Sequence, residues 1–92
     1  MNLYLIRHAE LESKYLGRYI GSTDAGLSSK GKEQAKKLAQ FLKDVPLDAI
    51  YVSRLKRAKQ TADPFSQQRN IQLKTDLRLA EIEFGPWEGK HI

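Results

Sequence analysis

The chain has 92 residues, 40% of them hydrophobic and 29% charged, and its 16 Lys and Arg outweigh 11 Asp and Glu to give a formal net charge of +5. That length allows one small domain with a thin core. The absence of cysteine excludes disulfides and thiolate metal sites, and the two histidines, His8 and His91, leave little material for a zinc site.

Residues 2–7 (NLYLIR) are an apolar, β-prone run and predict a buried strand. Residues 9–27 lose all periodicity and collect Gly17, Gly21, Ser22, Asp24 and Gly26, which predicts a long loop of the kind that usually carries function. Ser28 or Ser29 is placed to cap a helix running to about Asp44. Its apolar residues Ala35, Leu38, Ala39 and Leu42 share one face of a 3.6-residue period, and Pro46 closes it. Asp48 to Val52 predicts a second buried strand. Ser53 then offers a cap for a helix over 54–68 with Leu55, Ala58, Ala62 and Phe65 inward, and Pro64 predicts a kink or an early stop. Ile71 to Lys74 reads as a short third strand, and 76–92 as irregular.

Alternating strands and helices predict an α/β fold, a parallel sheet covered by helices. Chemistry in such sheets collects past the C-terminal ends of the strands. Arg7-His8 ends the first expected strand and Ser53 to Arg57 follows the second, so both are expected on one edge. There is no internal repeat and no low-complexity segment.

Lys30, Lys32, Lys36, Lys37 and Lys43 share their segment with Glu33 and Asp44, the pattern of a solvated helix face rather than a nucleic-acid footprint. No aromatic-rich basic stripe accompanies them. The positive balance suits a small anionic substrate, with neither nucleic acid nor membrane expected as a partner. The N-terminus has no basic region followed by an apolar run, and no apolar run approaches the roughly 20 residues of a bilayer span, so the expected location is the cytoplasm. Oligomeric state is not legible.

Three constellations carry chemistry. In Arg7-His8, a neutral imidazole is a capable nucleophile near neutral pH, and the guanidinium fork matches phosphate oxygens. Alone the dipeptide is weak, because such pairs at strand ends are more often structural. Ser53 to Ala62 (SRLKRAKQTA) places cations and N–H groups at a helix start, where an anion bound between them would offset the local cost of clustered charge; a plain basic helix start is the alternative. Leu79 to Gly89 (LAEIEFGPWEG) gathers three carboxylates around an aromatic turn. Desolvation by Phe84 or Trp87 would raise the pKa of one of them and suit it to protonate a leaving alkoxide; an apolar tail with exposed Glu is the alternative.

Together these segments resemble the histidine phosphatase superfamily, also called the phosphoglycerate mutase-like family. LIRHAE (5–10) resembles its Leu-x-Arg-His-Gly-Glu signature, and GSTDAGLSSKGKEQA (21–35) its Gly-x-x-Asp-x-x-Leu-Ser/Thr-x-x-Gly-x-x-Gln-Ala segment. SRLKRAKQTA (53–62) and LAEIEFGPWEG (79–89) resemble its next two signatures, in the family's order. The resemblance implies a metal-independent phosphomonoesterase with a three-layer fold, no cofactor, and a small phosphorylated metabolite as partner. It implies that His8 is phosphorylated, that Arg7 and Arg57 clamp phosphate, that Glu81 is the proton donor, and that Trp87 and Glu88 are structural. Lys14 and Gly21 are the remaining candidate substrate contacts. The Phe-Gly-x-Trp-Glu-Gly ending looks most like α-ribazole phosphatases of cobalamin synthesis, and related small-molecule phosphatases share it. A phosphoglycerate mutase-type transferase and a truncated, inactive phosphate-binding fragment are the alternatives.

Ala9 stands where the family usually has glycine, Leu11 where threonine is usual and Lys14 where asparagine is common. These changes bear on substrate preference. The family's second active-site histidine, in a Ser/Thr-His-Gly type motif, has no counterpart here, and the context of His91 is unlike it. Residues 1–92 therefore read as one partial domain, an N-terminal β-α-β-α-β portion expected to have little or no activity by itself.

Overall fold

Ser28 turns its side chain onto the N–H of Gly31 at 2.9 Å, capping helix α1 (Ser29–Phe41) as its residue type predicts. A cap of this kind contributes about 1 kcal/mol. The computed structural model, which describes residues 3–15, 17–18, 20–21, 23–79 and 88–89, adds strand β1 (Ile50–Val52), helix α2 (Lys56–Arg69) and strand β2 (Leu73–Thr75). Single 3-10 turns lie at Ser13–Tyr15 and Leu77–Leu79.

β1 and β2 pair in parallel, Ile50 with Leu73, Tyr51 with Lys74 and Val52 with Thr75, and α2 makes the crossover between them. The N–H of Asp76 extends the ladder to the Val52 carbonyl at 2.9 Å. The Asp76 carboxylate then accepts from the backbone and guanidinium of Arg78, which hold its pKa down at about 2. This is an α/β arrangement with a parallel sheet, as the alternation of elements predicts. The apolar core is Ala25, Leu27, Ala35, Ala39, Val52, Leu55 and Phe65, where the loop before α1 and the facing sides of both helices meet.

Several expectations are corrected. The predicted buried strand over residues 2–7 does not form in its described part: residues 3–7 pair with no strand among the described residues, and Leu3 and Leu5 are 83% and 86% exposed. An apolar run becomes a strand only where a neighbour accepts its ladder and a layer covers its face, and the described residues supply neither. The loop over 9–27 is more ordered than predicted. Leu11 and Leu27 form an antiparallel bridge, with the Glu12 N–H on the Gly26 carbonyl at 3.0 Å and the Ser28 N–H on the Glu10 carbonyl at 2.9 Å.

Pro64 neither stops nor ends α2. It denies the Gln60 carbonyl its helical donor, a cost on the order of 3 kcal/mol, yet the helix continues because the next residue, Phe65, is buried in the core. Asn70, in the left-handed region at φ 53°, closes it with an N–H to the Ser66 carbonyl. The inward side of α2 includes Leu55 and Phe65 as predicted, but Ala58 and Ala62 are half-buried, and the stripe that is buried within the helix is Arg57, Thr61 and Phe65. Arg69 donates to the Leu42 and Val45 carbonyls at 2.6 and 3.1 Å, fixing the end of α1 against the end of α2.

Candidate active site

His8 lies in the segment leading to the Leu11–Leu27 bridge and is half-buried. Its Nδ1 is 2.7 Å from the Ala9 carbonyl oxygen. A carbonyl only accepts, so Nδ1 carries the proton, and in the neutral ring the lone pair belongs to Nε2. Arg7, His8, Leu11, Tyr15 and Gly17 are among the residues lining an open depression of about 330 Å³. Lys14 is exposed on the 3-10 turn beside it, with its ammonium 5.1 Å from the centre of the Tyr15 ring.

The segment is fastened to α2 through one hydroxyl. The Ala9 N–H donates to Thr61 Oγ1 at 3.0 Å, and that hydroxyl donates to the Arg57 carbonyl at 2.7 Å. Thr61 therefore couples the residue after His8 to the helical turn that carries Arg57. The neighbouring Gln60 accepts from the Leu27 N–H at 2.7 Å, and Gln34 of α1 accepts from the Glu10 N–H at 3.0 Å. Both helices thus hold the chain around His8.

Arg57 is fully buried, at 0% exposure. A buried guanidinium is tolerated only with acceptors in its plane, and the loop supplies them: Nη1 donates to the Thr23 carbonyl at 2.7 Å and Nη2 to the Gly21 carbonyl. Gly21 thus enters the site through its backbone. The start of α2 differs from the anion-seeking turn predicted from its cations. The Lys56 N–H is capped at 2.8 Å by the Asp24 carboxylate, so the chain supplies a negative group there itself, while Lys56 and Arg54 remain exposed.

The structure brings Arg7 and His8 to one depression and ties their segment to the helix of Arg57, whose guanidinium sits beneath the 20–24 loop. Glu81, Phe84, Trp87 and His91 lie outside the described residues. Thr61, Gln60, Thr23 and Tyr15 were not singled out from the sequence. Thr61 had one available signal, its position one helical turn beyond Arg57 in the SRLKRAKQTA segment. No group of three His, Asp or Glu side chains among the described residues is placed to hold a metal.

The family model of the histidine phosphatase superfamily (branch 1) matches residues 3–92. The chain belongs to this superfamily. Among relatives, phosphoserine phosphatase 1 of Hydrogenobacter thermophilus is 45% identical over 89 residues, which are 97% of this chain and 42% of that protein. The adenosylcobalamin/alpha-ribazole phosphatase of Salmonella typhimurium is 37% identical over 91 residues, 99% of this chain and 45% of that protein. The crystal structure of the alpha-ribazole phosphatase from Shigella flexneri superposes with a TM-score of 0.84 at 36% identity, covering 94% of this chain and 43% of that one. This histidine phosphatase chain spans less than half the length of these relatives.

Proposed function

We propose that residues 1–92 are a partial histidine phosphatase domain holding the nucleophile and phosphate clamp of a phosphomonoesterase. The observation that carries the reading is the double tether at His8. The ring is held through Nδ1 by the Ala9 carbonyl, while the Ala9 N–H is held by the helix that carries Arg57. That arrangement supports in-line attack by His8 Nε2 on a phosphomonoester, with Arg7 and Arg57 stabilising the transferred oxygens, Lys14 contributing to the substrate side and Gly21 acting through the Arg57 guanidinium that its carbonyl holds. The P–O ester bond breaks as the N–P bond forms, and the leaving oxygen takes the proton of Glu81. Water then attacks the phosphohistidine, returning its proton to Glu81 and releasing phosphate and the neutral imidazole. The chemistry requires neither metal nor organic cofactor. The phosphatase relatives support a small phosphorylated metabolite as substrate, and the sequence ending at Gly89 favours α-ribazole 5′-phosphate or a similar small molecule in the cytoplasm.

A second reading, an inactive phosphate-binding fragment, shares the Arg7 and Arg57 clamp but not the phosphorylation of His8. A labelled phosphomonoester separates the two. A weak, acid-labile and base-stable label that disappears in His8→Ala is expected. Inorganic phosphate binding without any label favours the second reading, and a label that survives His8→Ala refutes the first.

A further inference from the structure

The Glu88 carboxylate accepts the Gly21 N–H at 3.0 and 2.9 Å, the Thr23 N–H at 2.9 Å and the Thr23 hydroxyl. The carbonyls of the same two residues accept from the buried guanidinium of Arg57. Gly21 and Thr23 therefore each present an N–H to a carboxylate and a C=O to a guanidinium. One residue on, the Gly89 carbonyl accepts from Arg18 at 2.8 Å, so the 88–89 segment is held to the loop at a further point.

We infer that Glu88 is a positioning residue for Arg57, acting through the backbone of Gly21 and Thr23. Charge-assisted hydrogen bonds to an ionised carboxylate are short and directional, so they fix the orientation of both residues' backbone. The N–H that each residue gives to Glu88 and the C=O that it gives to Arg57 lie in adjacent planar peptide groups joined at one Cα. Pinning the first limits the swing of the second, and two carbonyls held in this way fix the planar guanidinium in one orientation. Glu88 thereby has a role beyond bracing the chain: it fixes the orientation of the Arg57 guanidinium.

The test reads Arg57 directly. In the ¹⁵N-labelled chain, the guanidinium resonances of Arg57, assigned by their loss in Arg57→Lys, are expected to show slow, hindered rotation. In Glu88→Ala that rotation is expected to accelerate by roughly tenfold or more, the worth of a charge-assisted hydrogen bond. Glu88→Gln keeps the shape and one acceptor oxygen without the charge, is expected to fall between, and serves should the alanine variant fail to fold. Ala39→Gly, which destabilises the chain near the far end of α1, is expected to leave Arg57 unmoved. Unchanged Arg57 signals in a folded Glu88 variant, or an equal change in Ala39→Gly, would overturn the inference.

Its catalytic consequence rests on the reading of Arg57 as a phosphate clamp. Inorganic phosphate titrated into the same samples is expected to bind roughly tenfold more weakly to Glu88→Gln, and equal affinity would overturn that consequence. If none of the samples binds phosphate while the Arg57 signals still move, the positioning stands and the proposed function fails.

Discussion

Gly31 occupies the first turn of α1, where glycine ordinarily costs helix stability relative to alanine by about 1 kcal/mol. Its reason for being there is the chain it touches. A Cβ built on Gly31 would lie 2.1 Å from the Glu10 carbonyl oxygen, a backbone atom held by the Ser28 N–H and unable to step aside cheaply. Gly31→Ala is therefore expected to destabilise the protein by about 1–3 kcal/mol despite its better helix propensity. Thermal unfolding would read this as a fall in Tm of roughly 4–8 °C per kcal/mol. Arg57 shows the same dependence on neighbours. Its identity as a candidate clamp was legible from the motif, but its complete burial was not, because nothing in the local sequence states that the Gly21 and Thr23 carbonyls will face it.

Helix α2 shows the same at the scale of an element. Its existence was legible from its apolar spacing, yet its cap was not, because Ser53 does not serve as the N-cap predicted from its position. The Ser53 hydroxyl accepts only a long bond from the Leu55 N–H at 3.4 Å, and the N-cap residue, Leu55, offers no side-chain acceptor. Asp24, 32 residues away, takes the Lys56 N–H instead. Asp24→Ala is expected to cost about 1 kcal/mol, within the range of 0.5–2 for lost caps, measured as a lower urea midpoint with an unchanged m-value. Asp24→Asn, which keeps an acceptor oxygen, is expected to recover most of that loss. The early stop expected at Pro64 does not occur for a related reason: a local rule about prolines is outweighed by the burial of Phe65 beside it.

For the whole molecule, the radius of gyration is 13.8 Å, above the roughly 12 Å of a compact domain of this length. Apolar side chains left outward at Leu3, Leu5, Phe41 and Tyr51 belong to the same picture. Because Leu3 and Leu5 are so exposed, replacing both by Ser is expected to change unfolding free energy by less than about 0.5 kcal/mol per site. Were they packed in a buried strand, each would cost about 2–5 kcal/mol, so an equilibrium urea titration decides between the two arrangements. The core, by contrast, draws on both helices, β1 and the 25–27 loop, and substitutions at Ala35, Ala39 or Phe65 act on all of these together.

By itself the sequence determined the α/β alternation, the limits of both helices to within a few residues, and the superfamily, because periodicity, capping residues and motif order are properties of neighbouring positions. Tertiary structure alone decided that Asp24 caps α2, that Thr61 ties the His8 segment to the Arg57 turn, and that the apolar run at 3–7 forms no strand. Each of those depends on a hydrogen-bond partner or a covering layer supplied by residues far along the chain, and a local pattern carries no information about which distant group will arrive to satisfy it.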